Sequence, residues 1–437
     1  MALSAGSRSK LWILMITAFI DMVGVLMVIP LLPFYAKTAG HLASGGLVVG
    51  ILVSSFSVAQ LLTAPMWGRL SDAYGRRPAL LVGLGASVIA YIVFAFALSL
   101  PHALFFLFLS RIVQGAGGGT VSVIQAYVAD ATALEERAKA LGWLSAATNA
   151  GVAIGPLIGP LTLRWGERGP GLFAAVLCVL NMAFAWRYLN ESRDMKEAAE
   201  SKADTGKRGR SRDAIGRVVS HPAAPASRLI WIYAIGLGAF QGVMSMLALL
   251  LSSRFGVTAN TIGYFFAYTG VLSVVTRALI LGPMIDRFGE PRLARIGQII
   301  LATGLALLSI IRPLADPAAV AAMLGGVLPA RAVALLPYLP LAIAVAFLPL
   351  GTAFTFPCVT SLLSRVISSK ERGLYMGVQQ TFGGMARVLF PILFGFLYDR
   401  GSGLPFLVSA AMVLFTVYLG LGMEAYTRTD AKPAAAA

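Results

Sequence analysis

The amino-acid sequence predicts an all-α membrane protein: twelve transmembrane helices in two pseudo-symmetric six-helix bundles around a central cavity. Three observations carry that expectation. The 437 residues are 58% hydrophobic and only 12% charged, with a mean hydropathy of +0.80, which no soluble globular chain shows. A bilayer-crossing helix needs about 20 apolar residues. Runs of that kind fall near 11–35, 46–68, 79–100, 103–128, 138–163 and 169–189, and again near 229–252, 259–283, 294–312, 336–364, 373–398 and 403–425.

The third observation is an internal repeat. GRLSDAYGRRP at 68–78 returns as GPMIDRFGEPR at 282–292, so Gly68, Asp72 and Gly75 map onto Gly282, Asp286 and Gly289 at one constant offset. In both copies an apolar run ends, charges follow and another apolar run begins, as a tight polar turn between two membrane helices requires. EERAKALG at 135–142 returns as KERGLYMG at 370–377, placing Glu136, Arg137, Gly142 and Pro156 over Glu371, Arg372, Gly377 and Pro391 at a larger offset. The difference locates one insertion in the second half, at 312–335. The expected units are residues 1–189, a cytoplasmic basic linker at 190–228, and residues 229–437.

In chain order, the first span reads FIDMVGVLMVIPLLPFY and contains Asp21, the only one of nineteen acidic residues placed deep in an apolar run. A carboxylate there costs roughly 3 kcal/mol on insertion scales, so it is a functional candidate by default. The alternatives are a structural ion pair or a neutral, hydrogen-bonded acid. The loop after the second span holds Asp72, Arg76 and Arg77. The fourth span, FLSRIVQGAGGGTVSVIQAYVAD, carries Arg111 one turn before Gln114 and ends at Asp130. At ~1.5 Å per residue, Asp21 and Arg111 reach the same middle zone of the membrane, which makes them expected partners. The fifth span, ATNAGVAIGPLIGPLT, spaces Gly151, Gly155 and Gly159 four residues apart beside Pro156 and Pro160. Small residues at that spacing let two helix backbones touch, which fits either close packing alone or control of which side of the membrane leaks.

The segment 190–228 breaks the apolar pattern with Lys, Arg, Glu, Ser and KRGRSR, and reads as a cytoplasmic linker that is at most partly helical. The second half has no intramembrane acid matching Asp21. Candidate cavity residues are Gln114, Gln125 and Asn149 in the first half. In the second they are Gln241, Tyr268, Arg277, Phe354, Phe356, Gln379, Gln380 and Arg387. Aromatic side chains in such spans also serve as core or lipid-facing residues. Arg277 and Arg387 differ, because a guanidinium keeps its proton and must find carbonyls, water or an anion.

The formal charge of +16 reports topology rather than nucleic acid. With the N-terminus in the cytoplasm, about 25 of the 35 Lys and Arg lie on that side, about 7 lie opposite and 3 are intramembrane. That bias sets both termini in the cytoplasm, with some attraction to anionic lipid headgroups. The basic stretch at residues 1–10 runs into a span too long for a cleaved signal, so an uncleaved first helix is expected. Cys178 and Cys358 sit in apolar runs without metal-ligand spacing, and His41, His102 and His221 fall in predicted loops, so neither a metal nor a cofactor is expected. No GxxxxGK[ST] loop offers ATP drive. No Ser/His/Asp or paired-carboxylate set can be assembled, which speaks against an enzyme.

GxLSDxxGRRP after the second span resembles motif A of the major facilitator superfamily, RxxQGxGGG in the fourth its motif B, and GxxxGPxxGP in the fifth its motif C. With DxxGxxxxxPLLP in the first span, the whole chain is similar to the twelve-span drug:proton antiporter branch, which includes tetracycline and multidrug exporters. Pro160 stands where motif C usually has Gly, and the second half lacks the ninth-span acid of tetracycline exporters. The resemblance implies alternating access in the plasma membrane (the inner membrane in bacteria), with Asp21 and Arg111 coupling protons to a small-molecule substrate in a monomer. It also implies a cytoplasmic gate in which Asp72 faces a helix N-terminus and Arg76 pairs with Asp130, joined by Gly68, Gly75, Arg77 and Arg137. In the second half Asp286, Arg287 and Arg372 occupy the matching positions. Two rival readings stay open: a facilitator of an anionic amphiphile, lipid or organic anion that uses the intramembrane arginines, and a non-transporting sensor on a transporter scaffold.

Overall fold

A computed structural model describes residues 5–41, 45–132, 134–191, 207–312, 338–368 and 371–426. The predicted insertion at 312–335 lies outside them apart from Arg312, as do most of the linker before residue 207 and the C-terminal tail. Among the described residues, eleven helical stretches are long and apolar enough to cross a membrane, and Leu404–Leu419 is a shorter apolar helix. The protein is a multi-pass membrane protein. The chain divides into two compact units, Met1–Thr205 with Thr258–Ala267, and Gly206–Val257 with Tyr268–Ala437.

In the first unit, α1 (Ala5–Val28) passes through a 3-10 turn at Pro30 into α2 (Leu32–Gly40). Next come α3 (Gly46–Tyr74), α4 (Arg76–Phe96), α5 (Ala103–Ala116), α6 (Thr120–Ala131), α7 (Leu134–Thr162) and α8 (Gly169–Tyr188). Leu14 and Ala18 of α1, Leu80 and Leu84 of α4, Ile124 and Val128 of α6 and Ala185 of α8 form one buried cluster at its core. Water is absent from the hydrocarbon, so association here relies on close van der Waals packing and buried hydrogen bonds.

The second unit opens with α9 (Lys207–Ser220), which the linker reading allowed as partial helix. Ala214 and Val218 seat it in a core with Leu229, Ile230, Leu293, Val359, Leu362 and Val378. The remaining helices are α10 (Pro225–Phe255), α11 (Ile262–Val275), which joins this unit from Tyr268 onward, α12 (Leu281–Phe288), α13 (Glu290–Ile310), α14 (Leu339–Val366), α15 (Arg372–Arg400) and α16 (Leu404–Leu419). A π-helical turn, Thr276–Ile280, joins α11 to α12.

The repeated polar turn is tighter than the sequence suggested. Residues 68–74 continue α3 as helix, and a single glycine makes the turn: Gly75 at φ +99° in the first copy and Gly289 at φ +71° in the second. Only glycine enters that region without a side-chain penalty, and each next helix starts one residue later.

Candidate functional site

The centre of the first unit is a break in the fourth span. Gly115 and Gly117–Gly119 supply no side chains and weak helix propensity, and the helix stops at Ala116 and restarts at Thr120. The freed carbonyls are taken by α3. Trp67 Nε1 donates to Ala116 O at 2.6 Å and Gln60 Nε2 to Gly118 O at 3.1 Å. A side chain at Gly115 would collide with Phe56 O, so α3 lies flush against the break.

Asp21, 2% exposed, meets that break from α1: Thr120 Oγ1 donates to Asp21 Oδ2 at 2.7 Å. Thr120 opens α6, where unpaired amides give a helix its partial positive charge, so the carboxylate sits at the favourable end. The expected ion pair with Arg111 is not formed. Arg111 Nη1 donates to Gln114 Oε1, Gln114 Nε2 donates to Tyr91 OH, and the Phe56 ring lies 4.7 Å from the guanidinium. Arg111 Nε is buried without a partner, and no carboxylate of the described residues lies within ion-pair distance of Arg111. Depth along two helices fixes a shared layer but not which way each side chain turns.

The glycine stripe of α7 packs on α1 around Asp21. A Cβ at Gly151 would lie 2.6 Å from Phe19 O, one at Gly155 2.8 Å from Val23 O, and one at Gly159 in collision with Met27 O. Three successive turns therefore run backbone to backbone, and Pro156 lies inside the same helix.

At the turn between α3 and α4, Arg76 is bound three ways. Its Nη1 contacts Asp72 Oδ1 at 2.8 Å, its Nε donates to Asp130 Oδ2 at 2.9 Å, and Nη1 also donates to Ser71 Oγ at 2.7 Å. α4 begins with Arg76 and Arg77, two cations at a helix end that disfavours them. Glu191, beyond α8, compensates: its two carboxylate oxygens accept from Arg76 N at 2.9 Å and Arg77 N at 3.1 Å. Arg77 donates to Trp186 O, and Arg137 Nη2 caps the end of α6 by donating to Ala129 O at 2.6 Å. Gly68 is exposed on α3.

The second unit repeats this arrangement with one inversion. Arg372 Nε donates to Ser364 O at 3.0 Å, the counterpart of Arg137 on Ala129 O under the same repeat. The two repeat offsets also set Arg76 over Glu290 and Asp130 over Arg365. Those residues form an ion pair too, Arg365 Nη2 to Glu290 Oε1 at 2.8 Å, with acid and base exchanged. Glu290 opens α13 itself, so that helix has its own acidic first turn, and Glu424 pairs with Arg295 one turn further on. Asp286 and Arg287 are exposed beside this turn.

The sequence of the Major Facilitator Superfamily, as a family model, matches residues 14–328. The chain belongs to the Major Facilitator Superfamily. It is a transporter and not an enzyme. Multidrug resistance protein 2 of Bacillus subtilis (strain 168) is 28% identical over 425 residues, 97% of this chain and 96% of the relative. Tetracycline resistance protein, class C, of Escherichia coli is 29% identical over 414 residues, 93% and 95% of the two chains. Among solved structures, the D-xylose-proton symporter aligns at a TM-score of 0.69 with 15% identity, covering 95% of this chain and 97% of its own, a likeness of fold. The membership accounts for the three motifs in the first part of the chain and for the turn sequence that recurs at 282–292.

The remaining candidate residues of this superfamily member are scattered. Gln125 and Asn149 are exposed on α6 and α7, and Asn149 Nδ2 bonds Ser145 O at 2.8 Å. In the second unit Gln241 and Arg387 are half-buried and Gln380 is exposed. Tyr268 donates to Ala342 O at 3.2 Å, and Arg277 is exposed in the π-helical turn. Phe356 packs edge-on against Tyr233, ring centroids 5.6 Å apart. Phe354 and Gln379 sit inside the unit: Phe354 packs against Gly297, and Gln379 Nε2 reaches Thr360 Oγ1 at 3.4 Å. Thr120, Tyr91, Glu191, Glu290 and Arg365 were not among the sequence candidates. The glycine run before Thr120 signals the break, and the repeat itself sets Glu290 and Arg365 in register with Arg76 and Asp130.

Proposed function

We propose that this protein is a proton-coupled antiporter that exports lipophilic or amphiphilic small molecules, working as a monomer in the bacterial inner membrane with both termini in the cytoplasm. Twelve spans form two six-helix halves, residues 1–189 and 229–437, joined by the linker at 190–228, and alternating access between them moves the substrate. The observation that carries the reading is Asp21, an acid buried mid-span at the restart of a broken helix. Its ionised form is held by Thr120 and by the helix end. Protonation removes most of both, so the charge state and the packing of α1 on α6 change together, which is what coupling requires. Each proton entering across 100 mV supplies about 2.3 kcal/mol. The Arg76 cluster and Glu191 belong to the cytoplasmic gate on this reading, and the glycine stripe ties the moving helix to α7. The names of the relatives support a drug-like substrate.

A second reading draws on Arg111, whose charge meets an amide and an aromatic ring rather than a carboxylate. That leaves a positive site suited to an anionic amphiphile moved without proton coupling. One experiment separates the two: flux of a lipophilic cation and of an anionic amphiphile in proteoliposomes, with and without a proton gradient, for the native chain and Asp21→Asn. Gradient-dependent flux that the variant loses supports the antiporter. Equal anion flux in both proteins without a gradient replaces it with the facilitator.

A further inference from the structure

We infer that Thr120 is the positioning residue of the coupling carboxylate, and that proton coupling depends on its hydroxyl rather than on an Asp21–Arg111 ion pair. The inference rests on the reading of Asp21 as the proton carrier. Three features of the site point to it. Thr120 Oγ1 is the side-chain donor bound to Asp21, at 2.7 Å, and both residues are buried. The hydroxyl is aimed by packing, because the Thr120 methyl lies against Gly83 of α4, where a Cβ would come within 2.8 Å of it. A β-branched side chain seated by its methyl has one rotamer open to it, so the oxygen is delivered to α1.

The third feature is that, among the described residues, no other ionisable group around Asp21 is hydrogen-bonded to it. From α4, the Tyr91 hydroxyl accepts from Gln114 and lies against Gly24, one turn beyond Asp21. From α5, Arg111 gives Nη1 to Gln114, lies on the Phe56 ring and makes no ion pair with Asp21. From α8, Cys178 is a buried thiol, a weak donor. From α7, the stripe presents glycines. The proton that binds Asp21 therefore removes the charge assistance from one hydrogen bond, donated by the hydroxyl fixed at the first residue of α6, and so loosens the tie between α6 and α1.

The test uses full-length protein in proteoliposomes with tetraphenylphosphonium as the probe, reading gradient-driven flux and gradient-free exchange for the native chain, Thr120→Val, Thr120→Ser, Asp21→Asn and the Asp21→Asn/Thr120→Val double variant. Valine keeps the methyl and the shape and removes the donor; serine keeps the donor. A hydrogen bond to a charged group supports an effect of about tenfold or more. The expected result is a ratio of driven flux to exchange that falls about tenfold in Thr120→Val, recovers in Thr120→Ser, and is no lower in the double variant than in Asp21→Asn. A native ratio in Thr120→Val beside a lost one in Asp21→Asn overturns the role of Thr120 and leaves Asp21 as the carrier. Equal loss of driven flux and exchange in Thr120→Val also overturns it, as a packing defect. Equal driven flux in the native chain and Asp21→Asn overturns the antiporter reading and this inference with it.

Discussion

Adding one methyl group to the α7 glycine stripe should separate α7 from α1 by an amount the structure fixes. In Gly155→Ala the new Cβ lies 2.8 Å from Val23 O, 2.9 Å from Leu26 Cβ and 3.2 Å from Met27 N. These are backbone atoms, or a Cβ anchored to backbone, so no flexible tip can yield. Reaching ordinary contact requires the helices to open by about half an ångström, and overpacking of that kind costs roughly 1–3 kcal/mol. Alanine returns about 1 kcal/mol of helix propensity. The net loss is about 0–2 kcal/mol, and Gly159→Ala, whose Cβ collides with Met27 O, loses more. Gly142→Ala in the same helix is the control: nothing lies within 4 Å of its Cβ, so only the propensity gain of up to about 1 kcal/mol remains. Thermal unfolding of the purified protein should rank Gly142→Ala above native, then Gly155→Ala, then Gly159→Ala, at about 2–4 °C per kcal/mol. Because Phe19 and Val23 flank Asp21, Gly151→Ala and Gly155→Ala should also lower gradient-driven flux beyond what lost protein explains. Identical unfolding midpoints for Gly142→Ala and Gly155→Ala would refute the backbone contact as the source of the effect.

Two further outcomes follow from the turns at Gly75 and Gly289. Glu290→Arg and Arg365→Glu should each lower the unfolding midpoint, and the double exchange should recover most of the loss; with Arg365 more than half exposed, the coupling in a double-mutant cycle should be about 1 kcal/mol or less, and a coupling of zero would dissolve the pair. Glu191→Ala should cost about 1 kcal/mol by uncapping two amides of α4, with Glu191→Gln losing part of that, read as a lower unfolding midpoint; an unshifted midpoint in Glu191→Ala would mean water replaces the cap fully.

Much of this architecture was open to a reading of the chain alone, because a bilayer leaves few choices. Backbone groups in hydrocarbon must be paired within helices, so apolar length alone marks the spans. The repeat exposed the two turns and matched Arg137 to Arg372, and the structure adds that both donate to equivalent carbonyls. What escaped was azimuth and long-range partnership. Asp21 and Arg111 share a depth, yet rotation about their axes gives one to Thr120 and the other to Gln114. Glu191 lies more than a hundred residues from the amides it caps, and no local pattern announces it. Phe354 and Phe356, two residues apart, differ because α14 turns the first toward Gly297 and the second toward Tyr233.

The exchanged polarity of the two ion pairs bears on how a duplicated bundle avoids confusing its own copies during synthesis. The first copy of the turn is synthesised before the second, and the two share a sequence pattern. Were both pairs of one polarity, the start of α4 could dock on the end of α14 and find a ready acid, and a helix exchange would be cheap. As built, that error sets Arg76 against Arg365, and the converse error sets Glu290 against Asp130. Like charges at a partly dry contact repel, so each pair rejects its own repeat as well as holding its partner. The inversion gives each turn a charge pattern that its own counterpart does not match, a small bias at each contact given how exposed Arg365 is.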